Sequence, residues 1–223
     1  MIKVIISGYG KMGHMIEDEL KRRNIELIEA SEDITSTEPT IAKDCVCIDF
    51  TTPQAFRSNY PFIARHFKAA VVGTTGWNDI FTEVKKTFED CGTTLIYSSN
   101  FSLGVNALFA AITAASKMLR EAGYMPRIEE IHHIHKLDAP SGTAKTIGEL
   151  VKQNLGIEPQ ISSFREGEVP GTHSLTLTSE CDRLTLRHEA FSRQGFARGA
   201  VAAALLTENI AGVHDFSEII ITH

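Results

Sequence analysis

Long apolar runs and positive charge are both scarce in this chain, and each shortage excludes a class of protein. No hydrophobic stretch approaches the roughly 18 residues that a membrane-spanning helix requires, so we expect no membrane span. The chain carries 22 basic and 28 acidic residues, which gives a formal net charge of -6 at pH 7. Because an acidic surface repels polyanions, we expect neither nucleic acid nor a membrane as a partner. An anionic substrate would therefore need a local cluster of cations.

Cysteine is also scarce, with four residues among the 223 of the chain. Cys45 and Cys47 flank one residue in an apolar run, and we interpret them as free core thiols, the alternative being a metal or redox site. The apolar run of the N-terminal sequence MIKVIISGYG is too short for an export signal and predicts a first strand. A chain with free thiols and no export signal is expected in the reducing cytoplasm.

Strand and helix patterns alternate along the first hundred residues. Buried strands are predicted at 2–6, 25–30, 45–50, 69–72 and 94–97, with helical patterns between them and a polar loop at 35–40. This alternation predicts an α/β fold with a Rossmann-type parallel sheet. After Asn100 the pattern changes to Ala-rich helices and alternating antiparallel strands. We therefore predict a dinucleotide-binding domain of residues 1–102 plus 193–223, interrupted by an inserted α+β domain of residues 103–192.

Three glycines follow the first predicted strand and precede the first predicted helix. Gly8, Gly10 and Gly13 fit the pattern G-x-G-x-x-G at that place. In such a turn the glycines permit a tight bend, a close approach of the backbone to a pyrophosphate and close packing of helix on strand. Because an acidic residue follows about 20 residues later, the pattern predicts dinucleotide binding rather than a purely structural turn.

Acidic residues follow the second predicted strand. One of Glu29, Glu32 and Asp33 could accept hydrogen bonds from the ribose 2′-hydroxyl of NADH and would repel the 2′-phosphate of NADPH. Residues 24–42 contain no lysine or arginine, the bases that NADPH selectivity usually needs. We therefore favour NADH over NADPH, although these acids could also form an ordinary solvated turn.

Two more polar segments follow predicted strands. They are Gly73-Thr74-Thr75-Gly76 and Ser98-Ser99-Asn100-Phe101. Ligands of open α/β sheets bind outside the carboxyl ends of the strands, so both segments are placed to contact the nicotinamide half of the cofactor. The alternative is that they are ordinary turns at strand ends.

Three histidines and a lysine lie within the five residues His132 to Lys136. If the chain stays extended, His133 and His135 share a face; if it turns after His133, all could face one pocket. A metal site is disfavoured by the lysine cation, and a solvated polar loop is a second alternative. We favour an anion site capable of proton transfer, because the N–H groups of Gly142 and Thr143 at the next helix start suit a carboxylate.

The stretch from Glu130 to Ala144 reads E-x-H-H-x-x-K-x-D-A-P-S-G-T-A and resembles the signature of the 4-hydroxy-tetrahydrodipicolinate reductase family. Similar segments follow the same order along the whole chain, among them Ile48 to Thr51, Arg165 to Gly167 and Pro170 to Thr172. The resemblance implies that His132 donates or accepts the proton, that Lys136 is a second donor, and that the substrate carboxylates bind at three residues: His133, Gly142 and Thr143. The residues themselves lead us to expect no metal, and the resemblance implies a homotetramer built through the sheets of the inserted domain.

The same resemblance implies which residues line the cofactor site. These are Gly8, Tyr9, Gly10, Lys11, Met12, Gly13, Glu32, Gly73, Thr74, Thr75, Ser98, Ser99, Asn100 and Phe101. The implied reaction reduces a cyclic imine dicarboxylate in lysine and diaminopimelate biosynthesis with hydride from NAD(P)H. Two rival hypotheses are a different Rossmann amino-acid dehydrogenase and an NADH-sensing module, and neither accounts for the stretch from Glu130 to Ala144.

Overall fold

A computed structural model describes residues 2–220 of the chain. The chain divides into two compact units. The first contains the residues up to Ser102 and those from Phe196 onward, and the second contains Leu103–Gly195. The inserted arrangement follows because the chain leaves the first unit after one run of alternating strands and helices and re-enters it through a single helix.

The first unit is built on a six-stranded sheet in which every neighbouring pair is parallel. Its strands are β1 (Lys3–Ser7), β2 (Glu26–Ser31), β3 (Cys45–Asp49), β4 (Ala69–Val72), β5 (Thr94–Tyr97) and β10 (Val213–Asp215). The strand order is β10-β5-β4-β3-β1-β2, so the chain reverses its direction across the sheet after β2. In such sheets ligands bind beyond the carboxyl ends of the strands at this reversal. The predicted parallel sheet is confirmed.

Helices cover both faces of this sheet, because its strands are apolar on both sides. The helices of the first unit are α1 (Lys11–Arg22), α2 (Pro39–Ala42), α3 (Pro53–His66), α4 (Phe81–Cys91), α7 (Gln194–Leu206, from Phe196 onward) and α8 (Phe216–Ile219). One core cluster contains Ile6 of β1 and Ile16 of α1, and the other contains Ile5 of β1 and Phe56 of α3. Successive residues of β1 therefore point into opposite cores, as in a doubly wound fold.

The second unit has a four-stranded sheet in the order β7-β6-β8-β9. Its elements are α5 (Leu103–Met118), β6 (Met125–His132), α6 (Gly142–Leu155), β7 (Gln160–Arg165), β8 (Thr172–Thr178) and β9 (Arg183–Glu189). Only the β6–β7 pair is parallel. One face of the sheet packs against α5 and α6 through a core that includes Ile128, Ile147 and Leu175. Glu130 and His132 follow Ile128 on that covered face, because strand residues alternate between faces.

Three details of the predicted secondary structure were wrong. The segment 35–40 was predicted to be a loop, but a one-turn helix begins at Pro39, where proline suits the first helical position. Strand β7 was not predicted, because its sequence QISSFR is mostly polar and reads as a loop. Strand β10 was also missed, since three residues are too few for a periodic signal.

No helix in the described part of the chain, residues 2–220, is long and apolar enough to cross a membrane. The four cysteines are free. Cys45 and Cys47 are buried, as predicted for core thiols, and burial raises the pKa of both.

Candidate active site

The glycine-rich turn of the first unit joins β1 to α1. Gly8 has a φ of +90°, which a residue with a side chain rarely adopts, and a Cβ there would lie 2.6 Å from the carbonyl oxygen of Phe50. A Cβ at Gly13 would lie 2.5 Å from the Gly8 carbonyl oxygen, whereas a Cβ at Gly10 would meet no protein atom within 4 Å. Gly8 and Gly13 are thus required by packing, and Gly10 borders open space at the start of the helix.

The residues between these glycines differ in their placement. Lys11 is exposed at the first position of α1, where its cation and the helix N-terminus both favour an anion. Met12 packs against the core. The ring of Tyr9 lies 4.1 Å from that of His14, and the Tyr9 hydroxyl donates to Glu17. Of the three, Lys11 presents its side chain to solvent at the helix start.

The three acids after β2 are not equivalent. Asp33 accepts hydrogen bonds from the backbone N–H and hydroxyl of Thr35, at 3.1 Å and 2.6 Å, and so caps a short 3₁₀ turn. Glu29 accepts from the Thr37 hydroxyl at 3.4 Å. Glu32 is exposed directly after the strand, and the described residues provide it with no hydrogen bond or ion pair. Glu32 is therefore the acid whose carboxylate is available to a ribose.

Asp49, the last residue of β3, has a fully buried carboxylate at the carboxyl edge of the sheet. It accepts hydrogen bonds from Ser7 at 2.7 Å, from Thr74 at 2.5 Å and from Thr51 at 3.0 Å. Burial raises the pKa of Asp49, and these hydrogen bonds oppose that rise. The side chain of Thr74 is therefore committed to Asp49, and the ends of β1, β3 and β4 are held together.

The other predicted strand-end residues divide into exposed and buried positions. Thr75 and Ser99 are exposed, and a Cβ at Gly73 would overlap the Phe50 ring at 2.2 Å. The Ser98 hydroxyl donates to the Asn100 carbonyl and accepts from its N–H, at 3.0 Å and 3.1 Å. The ring of Phe101 lies in the core, so any contact of this residue with a cofactor would involve its backbone.

In the second unit, β6 ends at His132 and the chain turns immediately after it. The Lys136 N–H donates to the His133 carbonyl at 3.1 Å, which closes the turn. His132 is 7% exposed, whereas Lys136 lies in the loop beyond. Of the two conformations that the sequence left open, the turned one is found. It does not bring the three histidines together, because His132 faces the covered side of the sheet while His135 contacts Glu168 at the surface.

Glu130 is fully buried on the covered face, two residues before His132. One of its oxygens accepts from the His132 Nδ1, and the other accepts from Arg165 at 3.2 Å and from the Ser141 N–H at 3.3 Å. Burial alone would raise the pKa of Glu130, but a hydrogen bond from Ser163 and the charges of His132 and Arg165 lower it overall. A buried acid thus orients His132.

The helix start that follows is organised by Ser141. Its hydroxyl accepts from the Ala144 N–H at 3.2 Å and lies 3.0 Å from Nε2 of His173 on β8. Gly142 begins α6 in an exposed position, where a Cβ would meet no atom within 4 Å. Thr143 is half-buried on the next position of the helix. The helix N-terminus therefore opens at Gly142, in the place predicted to receive a carboxylate.

Two side chains of this loop lie beside acids. Lys136 Nζ lies 2.6 Å from Asp138, and His135 lies 3.1 Å from Glu168. The buried Nδ1 of His133 has no hydrogen-bond partner among the described residues.

Sequence reasoning missed Glu130, Arg165 and His173 as members of the site. The spacing E-x-H on a strand was the available signal for Glu130, since residues two apart share a face. His173 and Arg165 are brought in by strand pairing, which places them beside Glu130 and His132 respectively. The ligand atoms of Glu130, His132 and His173 lie within 4.8 Å of one another, as metal ligands can. The Arg165 cation on the same carboxylate opposes a divalent metal.

One unit thus carries a glycine-rich turn on a parallel sheet, and the other carries an acid-oriented histidine near a lysine and a helix N-terminus. This division is typical of oxidoreductases that take hydride from a dinucleotide and protonate an anionic substrate.

Comparison with known proteins identifies the family. The N-terminal domain of dihydrodipicolinate reductase matches residues 2–101, and the C-terminal domain matches residues 104–220. The chain belongs to the dihydrodipicolinate reductase family. It is 35% identical to the 4-hydroxy-tetrahydrodipicolinate reductase of Christiangramia forsetii, with 98% of both chains covered. It is 37% identical to the enzyme of that name from Methanopyrus kandleri, over 82% of this chain and 74% of that one.

A solved structure supports the fold. Dipicolinate-bound dihydrodipicolinate reductase from Paenisporosarcina sp. TG-14 has a TM-score of 0.81 and 22% sequence identity, and covers 98% of this chain and 99% of its own. The chain is accordingly a reductase of lysine and diaminopimelate biosynthesis that uses a nicotinamide dinucleotide. The predicted family, fold class and activity are confirmed.

Proposed function

We propose that the protein reduces the cyclic imine formed when 4-hydroxy-tetrahydrodipicolinate loses water, with His132 as the proton donor and NADH as the preferred reductant. The observation that carries this proposal is the contact between the buried Glu130 carboxylate and His132 Nδ1. An imidazole held in this way presents Nε2 for proton exchange, as in other acid-oriented histidines.

The two substrate carboxylates would bind at the start of α6 and on the loop before it. The backbone N–H groups at Gly142 and Thr143 suit one carboxylate, because a helix N-terminus favours anions. Lys136 and His133 would hold the other, with the substrate replacing Asp138 at the Lys136 ammonium. The Paenisporosarcina reductase binds dipicolinate, which is also a ring that carries two carboxylates.

The protonation of His132 would depend on the charge of the bound substrate. Burial lowers the pKa of His132, while the carboxylate of Glu130 opposes that shift. A dianion bound nearby would raise the pKa of His132, because the negative charge favours the imidazolium. Binding of the substrate would therefore protonate His132, which then supplies the proton that the reaction consumes. A general acid of this kind contributes roughly 10²–10⁴-fold to a rate.

The bound nicotinamide would supply a hydride from its C4 to the ring of the substrate. Two electrons would arrive with the hydride and leave negative charge towards the ring nitrogen, and the proton from His132 would complete the addition of two hydrogens. Lys136 would stabilise the negative charge as it develops. The first unit would hold the dinucleotide through Gly8 to Gly13, with Lys11 at the helix start.

NADH is preferred in this proposal because of Glu32. Its exposed carboxylate directly follows β2, where a ribose 2′-hydroxyl would lie and a 2′-phosphate would be repelled. Asp33 also carries negative charge here, although its carboxylate caps the 3₁₀ turn.

We further propose a homotetramer in the cytoplasm. The face of the second unit's sheet opposite α5 and α6 exposes Met125 and Phe164, which are 63% and 50% exposed. Apolar side chains on an open sheet face suit contact with another subunit. Light scattering of the purified protein should give four times the mass of the 24.6 kDa chain. The cytoplasmic location is supported by the four free thiols, because a reducing compartment keeps thiols free.

The test is a steady-state assay with freshly generated substrate, in which the absorbance of NADH or NADPH is followed. Wild type is compared with His132→Gln and with His135→Gln, a matched control in the same loop whose ring contacts Glu168 at the surface. We expect rapid turnover by wild type, a kcat at least ~100-fold lower for His132→Gln, and a change below about threefold for the control. Absence of turnover in folded protein that binds NADH would reject the proposal in favour of a sensing module.

A further inference from the structure

Arg165, the last residue of β7, makes hydrogen bonds to four acceptors around His132 and Lys136. Its Nη1 donates to Glu130 at 3.2 Å and to the Phe164 carbonyl at 2.7 Å. Its Nε donates to the Lys136 carbonyl at 3.1 Å, and its Nη2 donates to the Asp138 carbonyl at 2.6 Å. The guanidinium therefore links a buried carboxylate to the backbone of the loop that carries Lys136.

Glu130 continues this connection to His132. Its Oε1 accepts from Arg165, and its Oε2 accepts from Nδ1 of His132. The register of the sheet explains the arrangement, because the parallel β6–β7 pairing places Arg165 directly beside His132. A buried carboxylate is costly without a cation, so Arg165 also keeps Glu130 charged. The two residues form a single link between the two groups assigned to proton transfer and charge stabilisation.

We propose that Glu130 and Arg165 are a positioning pair, which holds the His132 ring and the Lys136 loop in a fixed mutual placement. This inference rests on the function proposed above, since it concerns the residues to which that function assigns chemistry. Both members act through His132 and Lys136.

The hydrogen bond between Glu130 and the His132 ring defines the role of Glu130. Because its carboxylate accepts from Nδ1, that nitrogen carries the proton and Nε2 is left to exchange protons. A Cβ at residue 171 would lie 3.0 Å from Nε2 of His132, so Gly171 leaves room beside this atom. The carboxylate thus selects the tautomer, and the glycine keeps the reactive nitrogen accessible.

Arg165 has a separate task that lysine cannot perform. A guanidinium spreads its donors over three nitrogens in one plane, here to Glu130, to Lys136 and to Asp138, whereas the donors of an ammonium all leave a single atom. A lysine at this position would keep one charge beside Glu130 and would release the loop carbonyls. Arg165→Lys therefore tests the loss of the hydrogen bonds to the loop while the positive charge beside Glu130 is kept.

The variants are Glu130→Gln, Arg165→Lys and the double variant. The matched controls are Glu158→Gln, Lys152→Arg and their double variant, because Lys152 and Glu158 form an exposed ion pair of 2.6 Å in the same unit. We expect each test variant to lower kcat by roughly 10–100-fold, the range seen for carboxylates that orient metal-binding histidines. The kcat of the double variant should be no lower than that of the less active single variant, since the pair acts as one link. The controls should stay within about twofold of wild type.

The pH profile separates positioning from a loss of folding. The charged and titratable groups that face His132 are Glu130 on its own strand, Lys136, Arg165 on β7 and His173 on β8. The Glu130 carboxylate favours the imidazolium, so its removal lowers the pKa of His132. In Glu130→Gln, the fall of kcat/KM with rising pH should therefore begin at lower pH than in wild type. A residue that only supports the fold would leave this limb in place.

A second measurement needs neither turnover nor a variant that folds. Nitrogen NMR of wild-type protein without substrate should show His132 protonated at Nδ1 when the ring is neutral. A ring protonated at Nε2 would overturn the inference. Equal kcat values and unshifted profiles in the test variants would also overturn it, provided that wild type is active. Inactive wild type with the Nδ1 tautomer would reject the proposed function and leave the pairing of Glu130 with His132 standing.

Discussion

The hydroxyl of Thr74 donates a hydrogen bond to the buried carboxylate of Asp49, 2.5 Å away, and accepts one from the Thr51 N–H at 2.7 Å. These bonds join β4 to β3 at the edge of the sheet where a dinucleotide would bind. The hydroxyls of Ser7 and Thr51 also donate to this carboxylate.

Replacing Thr74 with valine should therefore destabilise the protein and weaken cofactor binding. The valine keeps the shape but removes one hydrogen bond to a buried charge and leaves the Thr51 N–H unpaired. We expect a loss of roughly 1–3 kcal/mol in the free energy of unfolding, measured by urea denaturation. Thr87→Val is the control, since its hydroxyl donates to the Glu83 carbonyl on the same helix and contacts Tyr60 rather than a buried carboxylate. An equal loss in both variants would contradict this role of Asp49.

Two glycine substitutions in the same turn should differ in their effect on stability. Gly13→Ala places a Cβ 2.5 Å from the Gly8 carbonyl oxygen, so it should lower the melting temperature. Gly10→Ala meets no protein atom within 4 Å, so it should change stability by less than about 1 kcal/mol. Differential scanning calorimetry of the two variants and of wild type measures these changes. A melting temperature that falls more for Gly10→Ala than for Gly13→Ala would contradict the packing argument.

Removal of the Glu32 charge should alter the choice of cofactor. In Glu32→Gln, the ratio of kcat/KM for NADH to that for NADPH should fall by roughly tenfold, because repulsion of the 2′-phosphate is lost and the ribose loses its acceptor. Asp33→Asn serves as a comparison with a smaller effect, since Asp33 caps the 3₁₀ turn. A larger change in Asp33→Asn than in Glu32→Gln would show that Asp33, and not Glu32, contacts the ribose.

His173 should make stability depend on pH. Burial, and then the neighbouring His132 charge, lower the pKa of His173 from 6.5 to about 4. The unfolded chain therefore binds more protons than the folded one between these values, and stability falls as pH decreases from 6.5 to 4. Groups facing His173 include Glu130 and His132 on β6, His188 on β9, and Lys136.

The measurement is urea unfolding of wild type and His173→Gln at several pH values. Wild type should lose up to roughly 3 kcal/mol more than the variant between pH 6.5 and pH 4. The stability difference between the two proteins should be constant above pH 7, which serves as the internal reference. Parallel curves over the whole range would show that His173 is not held neutral by burial.

The sequence predicts most of the first unit, because its strands are apolar runs bounded by turn residues. Its glycine spacing also locates the helix start that borders open space. Strand β7 escapes prediction, because the polar residues of QISSFR are stabilised by pairing with β6 rather than by burial. Arg165 is therefore invisible as a site residue, although it belongs to a segment that resembles the family.

For the second unit, the sequence predicts candidate site residues, but it predicts neither their geometry nor the contribution of Glu130, Arg165 and His173. The motif from Glu130 to Thr143 identifies His132, Lys136 and the helix start. The turn after His133 depends on closure of one backbone hydrogen bond, which sequence periodicity does not encode. The place of His173 depends on the antiparallel register of β6 and β8, so a non-local pairing brings it beside Glu130.

The most direct test of the central claim is the transfer of deuterium from cofactor to product. Wild-type protein would be incubated with freshly generated substrate and NADH that carries deuterium at the transferred C4 position. Mass spectrometry of the product ring should show one deuterium per molecule, because the hydride moves from the nicotinamide to the substrate. Product that forms at the same rate without deuterium would contradict the account, since the ring would then have been reduced by another route.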